Sequence, residues 1–169
     1  GPTCSIYVEE MTFTTLPVVP SLTTAAVTAV TGYSASGGGE VTVAGGADVT
    51  ARGICWDIAA NPTIAKSKTT NGEGLGAFTS AMTGLLGNKT YYVRAYATNS
   101  AGTGYGPEVT FKTDTALPTV TTTAVTAITK TSAISGGNVT DDGGGTISAR
   151  GLCWSMNANP SVTDNVISG

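Results

Sequence analysis

Three sets of residues in this chain have the chemistry for a reactive or binding site. Asp141-Asp142-Gly143-Gly144-Gly145 puts two carboxylates and several carbonyls on one pliable loop, the donor set that a hard cation such as calcium prefers. The matching loop in an earlier copy of the same sequence, Val43-Ala44-Gly45-Gly46-Ala47-Asp48, lacks those paired acids, so a turn is the better reading and no metal ligand is assigned. Tyr92, Arg94 and Tyr96 alternate along one strand and fall on one face of it. Stacked Tyr and Arg bind sugar rings or another protein, which makes these three a candidate exposed binding face. The competing reading is an ordinary sheet face on which the arginine stem covers the rings. Gly72-Glu73-Gly74-Leu75-Gly76 resembles a phosphate-binding run in letters alone; with no parallel strand before it and no helix after it, it reads as a hairpin loop.

The chain contains no histidine, which removes the commonest general base, the Ser-His and Cys-His couples and most zinc sites. Glycoside cleavage by two carboxylates requires a defined pair across a cleft, and none is legible. The chain is therefore read as not an enzyme, with no catalytic residue, no cofactor and no metal assigned. Charged residues make up 11% of the 169 residues and the net charge is −3, with no basic cluster. This excludes the electrostatic attraction that dominates nucleic-acid binding. No apolar run is long enough to span a bilayer, so membrane insertion is not expected. Three cysteines, Cys4, Cys55 and Cys153, cannot all pair within one chain. Cys55 and Cys153 occupy equivalent places a domain length apart, far beyond the reach of a disulfide, and read as small buried hydrophobes beside tryptophan; the alternative reading is pairing between neighbouring chains, with Cys4 as a candidate.

The elements that position these residues repeat. Ala26-Val27-Thr28-Ala29 matches Ala124-Val125-Thr126-Ala127, and Ala51-Arg52-Gly53-Ile54-Cys55-Trp56 matches Ala149-Arg150-Gly151-Leu152-Cys153-Trp154, without a gap at an offset of 98 positions. Between Pro20/Pro118 and Pro62/Pro160 roughly half the pairs are identical, so both copies must solve one packing problem. Tyr7, Glu10, Thr12, Phe13 and Thr15 match Tyr105, Glu108, Thr110, Phe111 and Thr113 at the same offset. The expected organisation is residues 1–15 as the C-terminal strand of a preceding repeat, 16–113 as a complete repeat, 114–117 as a linker and 118–169 as the N-terminal part of a following repeat. Thr is the commonest residue and Gly follows it. A chain rich in β-branched residues and interrupted by glycine prefers short antiparallel strands. In the complete repeat they are expected near 22–30, 34–44, 49–57, 65–70, 76–82, 90–98 and 105–113.

In the segment Leu85 to Gly102, a leucine six residues before Tyr91 and alternating small apolar residues running into an Asn-x-x-Gly turn resemble the penultimate strand of a fibronectin type III domain. The ordered set Ser132 to Thr140, Ala149 to Trp154, Asn61-Pro62, Gly74 to Ser80, Thr83 to Leu85, Tyr91 to Asn99 and Val109 to Thr113 is similar to the fibronectin type III-like, immunoglobulin-like tandem repeats of Bacteroidota surface and secreted proteins. Gly87 stands where that family usually has proline, and Gly37 interrupts its Ser-Gly-Gly run. The resemblance implies an all-β antiparallel sandwich. It also implies that Tyr91 forms a tyrosine corner, its hydroxyl returning to backbone. Trp56 and Trp154 are expected at the centre of each core, beside Ile54 and Leu152. Asp114-Thr115-Ala116 resembles the Asp-Thr-aliphatic site of O-glycosylation in such proteins, which makes Thr115 a candidate for modification.

The expected function is a non-catalytic extracellular array at a bacterial cell surface, serving as spacer, stalk, adhesion or filament segment. Its partners are neighbouring repeats, other copies of the chain in a filament, or a glycan or host-surface protein. The alternatives are a carbohydrate-binding or spacer module of a secreted polysaccharide-degrading enzyme, and a phage or virion surface protein. In fibronectin-like topology Asp141-Asp142 approaches the Leu86-Gly87-Asn88-Lys89 corner, with Lys89 as the expected interdomain partner. A strand around Glu10 to Thr15 could also complete the sandwich of a neighbouring copy.

Overall fold

The computed structural model describes residues 10–169. Period-two alternation, set by the pleat, sorts the first repeat into two antiparallel sheets. One consists of β1 (Ser21–Thr24), β2 (Ser34–Val43) and β5 (Gly76–Thr83), in the order β1-β2-β5. The other runs β4-β3-β6-β7, from β4 (Ser67–Lys68), β3 (Ala51–Asp57), β6 (Thr90–Asn99) and β7 (Gly102–Tyr105). β8 (Val109–Lys112) pairs with the first half of β6, and β7 with its second half. This strand order is that of an all-β, immunoglobulin-like or fibronectin type III-like sandwich.

Residues pointing inward from the two sheets form the core. Ala35, Ile54, Met82, Leu85, Tyr91 and Val93 make one cluster, with Val27, Val30, Trp56, Phe78, Val109 and Phe111 packed around it. Leu22, Val41, Val49, Ala95 and Ala97 make the other. Ile54, Met82, Val41 and Val93 are fully buried, so truncating any of the larger ones costs about 2–5 kcal/mol. Small residues set the sheet spacing: a Cβ at Gly39 would lie 2.4 Å from the Thr23 carbonyl oxygen and 2.6 Å from the Ala95 Cβ.

Two of the expected strands are interrupted for local reasons. The segment expected at 22–30 pairs continuously only over β1, followed by a single bridge from Thr28 to Ser36. Ala29 sits in the left-handed region at φ 48, which breaks the extended run. The strand expected at 105–113 is confined to β8, while Tyr105 ends a separate strand, β7, that begins at Gly102; Pro107 between them has no N–H to donate to the ladder.

In the second repeat, β9 (Thr119–Thr122) pairs with β10 (Gly137–Asp141), and β11 (Gly151–Trp154) with β12 (Asn165–Ser168). Partners repeat at the offset of 98: Leu22 faces Val41 and Val120 faces Val139, while Cys55 faces Lys68 and Cys153 faces Val166. Local strain repeats as well, with Ala127 at φ 49 and both Asn61 and Asn159 at φ 58. By the same offset β9, β10, β11 and β12 correspond to β1, β2, β3 and β4 of the first repeat.

Candidate functional site

Of the candidate binding face, Tyr96 is covered and Arg94 is engaged elsewhere, as an ordinary sheet face would have it. Tyr96 is 3% exposed, and its hydroxyl donates to the Thr69 carbonyl at 2.7 Å beneath the 69–71 segment. Arg94 does not stack between Tyr92 and Tyr96. Its Nε donates to the Gly106 carbonyl at 3.1 Å, and its guanidinium lies 4.7 Å from the ring centroid of Tyr105. Tyr92 remains half-buried, opposite Thr110 of β8, and has no second ring with which to make a platform. The alternation was legible, but the cover over it comes from β7 and from a loop remote in sequence.

Trp56 is half-buried at the margin of the first cluster, whose centre is Ile54, Met82 and Val93, and Trp154 holds the equivalent place on β11 of the second repeat. Cys55, read as a small buried hydrophobe, is 0% exposed. Its thiol donates to the Pro62 carbonyl at 3.5 Å and the Arg94 carbonyl at 3.6 Å, and burial pushes its pKa up to about 11. Cys153 repeats the contact, with its thiol 3.5 Å from the Pro160 carbonyl. The recurrent cysteine thus ties the Asn-Pro loop to the strand. Cys4 lies outside the described residues.

Tyr91 takes the corner position: buried, stacked on Phe111 with centroids 5.6 Å apart, its hydroxyl accepting from the Leu86 N–H at 3.0 Å. Arg52 has a role that sequence reasoning missed. Its Nη1 donates to the carbonyls of Leu75 at 2.6 Å, Gly76 at 3.1 Å and Gly74 at 3.3 Å, while its Nε reaches the Asn71 carbonyl at 3.4 Å. The guanidinium therefore organises the glycine-rich loop, which is a hairpin connection as expected.

The residues brought together most specifically are those of the joint between repeats. Asp141 and Asp142 shape the turn at its centre: their Oδ1 atoms accept from the N–H of Gly143 at 2.7 Å and of Gly144 at 2.8 Å. Gly143 and Gly144 adopt φ 66 and 74, a conformation that suits glycine. The turn meets the 86–89 corner as expected, but through a different residue. Asn88 Nδ2 donates to the Gly144 carbonyl at 2.8 Å, whereas Lys89 forms no ion pair with Asp141 or Asp142; its backbone N–H donates to Thr113 Oγ1 at 2.9 Å. The approach is close: a Cβ on Gly87 would sit 2.2 Å from the Gly143 oxygen.

The linker is fastened at both ends. The Asp114 N–H donates to the Thr31 carbonyl at 3.2 Å, the Asn88 N–H to the Asp114 carbonyl at 2.9 Å, and the Tyr33 hydroxyl to the Leu117 carbonyl. On the other side, the Ala116 N–H donates to the Gly143 carbonyl at 2.8 Å. Thr115, the candidate for O-glycosylation, is exposed in the middle of this linker. Among the described residues no group of three or more His, Cys, Asp or Glu could hold a metal ion.

No family model and no curated protein matches this chain. Among solved structures, titin domains A168–A170 are similar at 18% sequence identity and a TM-score of 0.41, over 59% of this chain and 32% of that one. The chain thus spans about a third of that structure. The sandwich assignment rests on the strand order and register of the chain itself.

Proposed function

We propose that this chain is part of a non-catalytic, extracellular tandem array that holds successive β-sandwiches at fixed spacing, as a stalk or adhesive spacer on a cell surface. The joint carries this reading. The Asn88 side chain crosses from one sandwich to the next, and the four-residue linker is hydrogen-bonded to both, so orientation is specified by contacts rather than left to a loose tether. A surface solvated by threonine hydroxyls rather than charge, and a Thr115 exposed on the linker, suit an exported protein. The test is brief proteolysis of intact cells of the source organism, followed by mass spectrometry of released peptides and of the native protein. Release of peptides from this chain by intact cells, with hexose increments on the peptide containing Thr115, is the expected result. Release only after lysis would overturn the surface assignment.

A second reading, strand exchange between copies, is favoured by one observation. Met11 and Phe13 are 89% and 88% exposed and lie in no strand, whereas their equivalents Val109 and Phe111 pack against the core. Sedimentation at high protein concentration tests it: filaments or higher oligomers support exchange, and a monomer rules it out.

A further inference from the structure

We propose that the Gly45–Gly46 turn, at the pole of the first sandwich facing Leu16, is a preformed seat for the Gly-Asn corner of a preceding copy of this repeat. This rests on reading the chain as an array, and it adds which surface receives the neighbour and through which atoms. The turn is built like its occupied counterpart 98 residues later. The Val18 N–H donates to the Gly45 carbonyl at 2.8 Å, as the Ala116 N–H does to the Gly143 carbonyl at 2.8 Å. Gly45 and Gly46 have φ 79 and 85, beside 66 and 74 at Gly143 and Gly144. A Cβ at Gly45 would lie 2.1 Å from the Val18 oxygen, and one at Gly143 would lie 2.1 Å from the Ala116 oxygen.

The two turns differ at the outward glycine. A Cβ at Gly144 would strike the Gly87 oxygen at 2.3 Å and the Asn88 Cβ at 2.4 Å; one at Gly46 would meet nothing nearer than the Pro17 Cα at 3.7 Å. The first turn therefore has the shape of the second without its occupant. A second chain cannot supply that occupant from its own Gly87–Asn88 corner, which its own Gly143–Gly144 turn already holds. The corner must come from a repeat ahead of Leu16. Glu10, Thr12, Phe13 and Thr15, which match the β8 segment of the complete repeat, lie where the last strand of such a repeat would lie.

The seat uses two features that survive between the copies: consecutive left-handed glycines, and a backbone N–H from the linker. Asp141 and Asp142 brace the second turn by accepting from its N–H groups, but Val43 and Ala44 occupy those positions in the first. Recognition thus requires the glycines and not the acids. Gly32, packed against Ala116 at the present joint, is replaced by Lys130 in the second copy, so the far pole is the more variable half of the device.

The test places a copy of residues 16–113 directly ahead of Leu16 in the chain, with Cys4→Ser and Cys153→Ser. Paired spin labels at Ala65 of the copy and of the original report the new joint; labels at Ala65 and Thr163, equivalent positions, report the existing one. The expected result is two narrow distance distributions with the same mean. Asn88→Gly in the copy, which keeps the left-handed backbone and leaves the Gly45–Gly46 turn untouched, should broaden the peak at the new joint alone. A broad distribution at the new joint beside a narrow one at the existing joint would overturn the seat and leave the array reading intact. Broad distributions at both would overturn the two together.

Discussion

The side-chain amide of Asn88 donates to the Gly144 carbonyl at 2.8 Å, joining two sandwiches through a residue whose own backbone is left-handed at φ 54. Asn tolerates that conformation better than most residues, so one residue turns the corner and grips the neighbour. Asn88→Gly keeps the turn and removes the grip, a hydrogen bond worth about 0.5–1.5 kcal/mol net. The expected outcome is unchanged thermal unfolding of the first sandwich with greater interdomain mobility, read from 15N relaxation of the two repeats.

Gly87→Ala attacks the same joint from the steric side. The three heavy atoms nearest its new Cβ, the oxygen and carbonyl carbon of Gly143 and the nitrogen of Ala116, all belong to the linker or the second repeat. The first sandwich should keep its stability or gain about 0.4–1 kcal/mol from reduced unfolded-state freedom, while the joint opens. Amide exchange checks this: the Ala116 N–H should lose protection while the N–H groups of β6 keep theirs.

Tyr91→Phe preserves the stack on Phe111 but leaves the Leu86 N–H without its acceptor. The expected loss is about 1–3 kcal/mol, and for a domain of this size each kcal/mol lowers the midpoint by roughly 4–8 °C. Differential scanning calorimetry would measure it, and an unchanged midpoint would contradict the corner's role.

Arg52→Met should loosen the 71–76 loop, because one guanidinium holds four carbonyls there. Limited proteolysis is expected to cut at this loop in the variant and to spare it in the parent.

Cys55 makes a prediction about pH. Burial raises its thiol from the ordinary value of 9.0 to about 11. Between those values the unfolded chain releases a proton that the folded chain retains. The stabilisation is complete below about pH 9, declines as the pH rises through this window and is exhausted above about pH 11. Denaturant titrations of the parent and Cys55→Ala across pH 8–11 should show a pH-dependent component present only in the parent. In native protein at pH 8, alkylation should modify Cys153 and spare Cys55.

The sandwich was legible because its signals are local and periodic: alternation in Tyr91 to Asn99, glycine and asparagine at the turns, and a gapless repeat that displays each signal twice. The tyrosine corner was legible from Leu85 and Tyr91 for the same reason. What escaped depended on segments distant in the chain. Tyr96 alternates as an exposed residue should, yet the Thr69 segment covers it. Charge drew attention to Lys89, whereas the joint is made by an uncharged amide and by backbone carbonyls that every residue possesses. Gly87, a departure from the family pattern, lies against the Gly143 carbonyl of the second repeat, with no room for a Cβ between them.

Contacts at the linker and the Asn88 corner fix the two repeats relative to one another. Residual dipolar couplings of backbone amides in the weakly aligned chain, fitted separately to residues 16–113 and 118–169, test it most directly. Fixed orientation predicts one alignment tensor, equal in magnitude and direction for both sets. Two tensors of different magnitude would mean that the repeats move independently, and the account of the chain as a spacer of set geometry would be wrong.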